Sequence, residues 1–152
     1  MYKRIAEARV RRLFATLATK DVDALLADVA EDVHHVFPGS HPLGGQRHSR
    51  AAMRRWFERL YVLFPEIEFE VRRVSVKGPP WDMAVGVQWS DRGLAADGEP
   101  YENLGAHWIR LRWGKATEIQ AYLDTEIVSR ACERMAAAGI PEATASQITD
   151  AP

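Results

Sequence analysis

The dipeptide Trp113-Gly114 constrains this chain more than any other feature. It lies between two runs of strand-forming residues, Tyr101 to Trp113 and Ala116 to Asp124, and reads as the turn of a β-hairpin. A two-residue loop pairs Arg112 with Lys115. Counting along an antiparallel ladder then sets His107 opposite Gln120, Gly105 opposite Tyr122 and Asn103 opposite Asp124, and opposed residues share a face. One side of the hairpin thus carries Asn103, His107, Gln120, Tyr122 and Asp124; the other carries Leu104, Ala106, Trp108, Ile119, Ala121 and Leu123. Two details break the division. Ile109 and Leu111 fall on the polar side, and Arg110 and Arg112 fall on the apolar side. A change of character along each face predicts a curved sheet whose concave side is dry at one end and holds a polar-tipped cavity at the other.

Upstream of the hairpin the period of the apolar residues changes twice. Val10, Leu13, Phe14 and Leu17 follow helical spacing, and Asp21 is a good N-cap for a shorter second helix carrying Leu25 and Leu26. Asp32 to Phe37 reads as a strand stopped by Pro38-Gly39, followed by a glycine-rich loop from Ser40 to Gln46. Ser49 caps a third helix whose stripe is Met53, Trp56, Phe57, Leu60, Tyr61 and Phe64, and Pro65 ends it. Beyond Pro65 the alternation is strand-like. Ile67, Phe69 and Val71 alternate on one parity and Val74 and Val76 on the other, which places a bulge near Arg72-Arg73; Met83, Val85, Val87 and Trp89 form the next strand. A last helix runs from Asp124 to about Ala138. The expected architecture is α+β, a cone of three N-terminal helices packed on a strongly curved, mainly antiparallel sheet. Residues 1–138 form the single domain, and residues 139–152 a flexible C-terminal tail.

Composition removes several functional classes. The 20 basic and 21 acidic residues leave a formal charge of -1, with no electrostatic footprint for nucleic acid or an anionic membrane. A chain of 152 residues buries about 70% of its unfolded surface and needs no metal or disulfide to fold. Cys132 is the single cysteine, so neither an internal disulfide nor a cysteine-based zinc site is available. There is no apolar run of the roughly 20 residues a membrane span requires and no signal-peptide core, which makes a cytoplasmic protein the expectation. Phosphate-loop, dinucleotide-fold and serine-elbow motifs are absent.

Three stretches carry a family resemblance: Pro38 to Gly45 before the third helix; Gly105-Ala106-His107-Trp108-Ile109-Arg110; and Gly114-Lys115 leading to Glu118 and Tyr122-Leu123-Asp124. In order and spacing they resemble the nuclear transport factor 2-like superfamily, and within it the SnoaL-like branch with its polyketide cyclases and ketosteroid isomerases. The likeness covers roughly Tyr2 to Met135. It implies a cone whose mouth admits a small hydrophobic ligand, and cofactor-independent acid-base chemistry of the cyclase, isomerase or dehydratase kind on a carbonyl compound. The alternative is a binding domain of the same fold without turnover. By the same resemblance, an aspartate at Asp124 acts as acid-base and a histidine at His107 assists it. The chain departs from the pattern at Ala116 and in its Thr125-Glu126 continuation.

Two readings of Asp124 stay open. A strand-end carboxylate often does no more than cap the helix that follows, whereas a carboxylate in an apolar cavity has its charge disfavoured and its pKa raised toward a range useful for moving protons. Asn103, Gln120 and Tyr122, registered beside it, would orient it or bind the ligand. His34 and His35 are adjacent in a strand and point to opposite faces, so at most one, assigned as His35, reaches the cavity. His41 and His48 flank the glycine-rich loop at the expected mouth, with His41 counted among the ligand contacts; no partner carboxylate stands at metal-binding spacing, and neither a metal nor a cofactor is expected. Trp56 and Trp89 are core residues that double as ligand walls. The apolar hairpin side, with Leu104, Trp108, Ile119 and Leu123, is large enough to predict a homodimer through the outer sheet face.

Overall fold

The computed structural model describes residues 1–151. Helix α1 (Tyr2–Thr16) runs into a 3-10 turn and is followed by the short α2 (Val22–Leu26), capped by the Asp21 carboxylate, which accepts from the Ala24 amide. Strands β1 (Val29–Phe37) and β2 (Gly45–Arg47) come next, then α3 (Arg50–Leu63), where the Ser49 hydroxyl accepts from Ala52 N as its cap. Four long strands follow: β3 (Glu66–Lys77), β4 (Met83–Leu94), β5 (Pro100–Arg112) and β6 (Lys115–Leu123), with α4 (Thr125–Ala137) after them. The register of β3 against β4 shifts between Val71 and Arg73, where the change of parity in the sequence placed a bulge.

The six strands form one sheet in the order β2-β1-β6-β5-β4-β3. This corrects the expected architecture in two respects. Only α1 and α2 precede the first strand, since α3 enters after β1 and β2. The sheet is open and mixed, with free edges at β2 and β3 and a parallel β1–β6 pair, and is not a strongly curved cone. The cause is long-range pairing. His35 stands beside Ile119, and a strand lying so far from its partner in sequence carries no local signal of direction or neighbour.

The hairpin register also differs from the simple count. Arg112 pairs with Lys115 as expected, and Leu111 pairs with Ala116, but Arg110 pairs with Glu118, leaving Thr117 as an extra residue whose hydroxyl faces the Arg110 carbonyl. Past this bulge every pairing moves by one, so His107 opposes Ala121 and Gly105 opposes Leu123. Ile119, Ala121 and Leu123 therefore share the inner face with Ile109 and His107, while Gln120 and Tyr122 turn outward with Leu104 and Trp108. Burial supplies the reason. Ile109, Ala116 and Ala121 are all buried, and the bulge is what lets them lie on one side of the sheet.

That inner face packs under α1, α3 and α4 in one apolar core containing Phe14, Met53, Trp56, Leu63, Trp89 and Met135. After Gly139 the chain makes a 3-10 turn at Pro141–Thr144 and passes the start of α3: Ile148 is buried, and the Asp150 carboxylate accepts from the His48 amide and the Ser49 hydroxyl.

The bulge yields a direct test. Deleting Thr117 restores unbroken pairing and turns Ile119, Ala121 and Leu123 toward solvent. The expected result in circular dichroism is loss of a cooperative melt. A variant melting like the wild type would show that the bulge does not fix the register.

Candidate functional site

Between the helices and the inner face of the sheet lies a cavity of about 410 Å³ with largely apolar walls. Tyr2, Arg9, Asp28, Trp113 and Gly114 frame its more exposed end, between α1 and the β5–β6 turn, while Phe64, Asp91, Tyr101 and Val128 line its buried end. A cavity of this size and character suits a small, mostly apolar molecule.

Asp91 is the first unusual group. It continues the inward parity of Val85, Val87 and Trp89 along β4, is only 4% exposed, and its Oδ1 has no hydrogen-bond partner. Burial pushes its pKa up to about 7, against the pull of the backbone amides of Asn103 and of Asp91 itself. Asn103 is its cross-strand partner on β5. The Asn103 amide nitrogen donates to Tyr101 Oη at 3.2 Å and to the Asp124 carbonyl at 3.0 Å. Tyr101 is buried, and burial followed by the nearby Asp91 charge raises the pKa of its phenol.

Two histidines line the cavity. Trp89 Nε1 donates to His107 Nδ1 at 2.8 Å. Gly105 makes room for this contact, since a Cβ there would stand 2.7 Å from the Trp89 ring. His35, projecting from β1, has its Nδ1 2.7 Å from the Arg47 guanidinium and packs edge-on against Trp56. Burial lowers the pKa of both imidazoles, to about 4 for His107 and well below the ordinary histidine value for His35, where the Arg47 charge adds to it. Trp56 is anchored by its indole N–H, which donates to the Leu43 carbonyl at 2.7 Å.

The remaining candidates fall elsewhere. Asp124 is the N-cap of α4: its Oδ1 accepts from the amides of Glu126 at 3.0 Å and Ile127 at 3.4 Å, and its side chain is outside the cavity lining. Tyr122 and Gln120 are carried to the outer face by the bulge. His41 is buried away from the cavity, with Nδ1 accepting from the Leu43 amide and Nε2 unpartnered. His34 stacks on His48 on the other side of β1, with ring centroids 4.5 Å apart. Asp91, Tyr101 and Arg47 are not among the sequence candidates. The parity of β4, extended past Trp89, points to Asp91; nothing local points to Arg47. Among the described residues no group of three or more His, Cys, Asp or Glu is arranged to hold a metal ion, and no helix is long and apolar enough to cross a membrane.

The chain belongs to the SnoaL-like domain family, which it matches over residues 10–119. Its fold is similar to that of a nuclear transport factor 2-like protein from Burkholderia xenovorans LB400, at 26% identity and a TM-score of 0.63 over 80% of this chain and 91% of that one. PrhC from Penicillium brasilianum NBRC 6234 superposes with a TM-score of 0.75 at 15% identity, covering 90% of this chain and 91% of its own. TerC co-crystallised with polyporic acid gives 0.71 at 20% identity, covering 82% and 95%. No curated protein matches the sequence.

Asp91 ties stability to pH. A carboxyl whose folded pKa of about 7 exceeds the unfolded value of about 3.9 contributes stability that is full below the unfolded pKa and is lost as the pH rises through the folded one. His35 and His107, with lowered values, act in the opposite sense as the pH falls below about 6.5. Comparing wild type with Asp91→Asn isolates the first effect. Urea unfolding should show the variant gaining on the wild type between about pH 4 and pH 7 and keeping a constant lead above that. A difference that stays constant over that range would mean Asp91 is not a raised carboxyl.

Proposed function

We propose that this chain binds a small, mostly hydrophobic carbonyl compound in the cavity and performs cofactor-independent acid-base chemistry on it, of the cyclase, isomerase or dehydratase kind. The observation that carries this reading is a single carboxyl, Asp91, at the buried end of an apolar cavity with one oxygen unpartnered. A group with a pKa of about 7 exists in both forms near neutral pH, so it can take a proton from a carbon beside a carbonyl and return it elsewhere. Tyr101 supplies a hydroxyl donor near it for the carbonyl oxygen. In this reading the proton-transfer role belongs to Asp91 and not to Asp124, whose carboxylate already serves two helix amides. His107 lines the same cavity without acting as the proton carrier. The crystallisation of TerC with polyporic acid supports small-molecule binding by this fold.

The test begins with native mass spectrometry of the purified protein to identify a retained molecule, followed by turnover and deuterium-exchange assays on it. Asp91→Asn should lower turnover by about 100-fold or more while binding is largely kept. Asp124→Asn keeps a good cap and should stay active. Full activity in Asp91→Asn would end the assignment; binding without turnover in every form would make the chain a binding domain.

The chain is further proposed to form a homodimer through its outer sheet face. Leu104, Trp108 and Tyr122 are 67%, 48% and 58% exposed there, with Tyr122 taking the place expected for the inward-facing Ile119 and Leu123. Sedimentation at micromolar concentration should give a dimer that Trp108→Glu converts to a monomer. A wild-type monomer would refute it.

A further inference from the structure

The two cavity histidines share a construction. Behind His107 stands the Trp89 indole N–H, and behind His35 the Arg47 guanidinium, each aimed at Nδ1. Indole and guanidinium nitrogens donate hydrogen bonds and accept none. Each imidazole must therefore turn a lone pair backward at Nδ1 and carry its single proton on Nε2. Neither Nε2 has a hydrogen-bond partner among the described residues, and both rings line the cavity. His35 is only 2% exposed, so this unpartnered Nε2–H has little access to bulk solvent, which leaves a ligand oxygen in the cavity as its natural acceptor. The rings also stand on one sheet face: His35 is beside Ile119, Ile119 is opposite Ile109, and Ile109 is two residues from His107.

Arg47 adds a charge. It is fully buried, yet the groups around its guanidinium are the carbonyls of Ile148 and Gly44 and the His35 ring, with no carboxylate at ion-pair distance among the described residues. A buried cation pressed against one side of an imidazole makes the N–H on the other side a stronger donor.

We propose that His35 and His107 are fixed, neutral N–H donors and not proton acceptors, and that together they select an apolar, ring-sized ligand bearing an electron-rich oxygen of the carboxylate, phenolate or enolate class. The inference rests on the cavity being the ligand site, and adds which ligand atoms are recognised there. Protonating either ring would set one N–H against another, which agrees with the lowered pKa of both. Asp91 at the buried end then moves the proton, and the imidazoles hold a second polar point of the ligand along the cavity.

Nitrogen-15 NMR of the histidine rings in the wild-type protein at neutral pH tests the donors without any variant. Both rings should give the neutral Nε2–H tautomer; an Nδ1–H tautomer or an imidazolium at either position overturns the proposal. The ligand class is tested by titrating 2-naphthoate, 2-naphthol and 2-methylnaphthalene. The two oxygen-bearing probes should bind roughly tenfold tighter than the hydrocarbon, the worth of about one well-made hydrogen bond. That gap should shrink in His107→Phe and recover in His107→Gln, which restores an N–H near the same place; a gap unchanged in His107→Phe overturns the role of His107. Equal binding of all three probes by the wild type overturns the proposal while leaving the cavity reading intact, and failure of every probe to bind overturns both.

Discussion

The extra residue at Thr117 is the constraint on which the rest of the structure depends. An unbroken ladder would send Ile109 and Leu111 to one side of the hairpin and Ile119, Ala121 and Leu123 to the other, and no single core could bury both sets. One inserted residue brings all five to the face covered by the helices. The same step puts Ile119 and Leu123 on the cavity wall beside His107, whose own side follows from the unbroken parity of β5, and gives Tyr122 to the outside with Leu104 and Trp108. Which side chains are available for binding is thus a consequence of how the sheet resolves a packing conflict.

Around the cavity, polar groups are handled from behind. Trp89 and Arg47 each occupy the rear nitrogen of a histidine, and Asn103 divides its amide between Tyr101 and the Asp124 carbonyl. For the two histidines such a contact satisfies one ring nitrogen and leaves the other free for a ligand, which is how a mostly apolar space gains a few oriented donors without collapsing around them. Asp91 is the extreme case: one of its oxygens has no partner at all, and burial sets its proton affinity. Asp124, by contrast, spends its carboxylate on a helix end.

Arg47 links the site to the end of the chain. Its guanidinium reaches the Ile148 carbonyl on one side and His35 on another, while Arg59 holds the Ser146 carbonyl and Arg55 the Thr149 carbonyl. A segment with little apolar character is seated by donors from β2 and α3, and its position in turn fixes the arginine behind a cavity histidine.

The sequence by itself determined what local chemistry dictates: helix starts at Asp21 and Ser49, the turn at Trp113-Gly114, the bulge beside Arg72, and a membership written in the order of a few short stretches. It also held the sign of the second bulge, since Ile109 and Leu111 on a polar face were the mark of a slipped register and not of curvature. Tertiary structure alone decided that β1 lies parallel to β6, that the sheet stays open, and that Arg47 sits behind His35. The physical reason is range. Caps, turns and alternation are settled within a few residues, whereas strand neighbours and buried polar partners are chosen by which of many distant contacts best fill and satisfy one core.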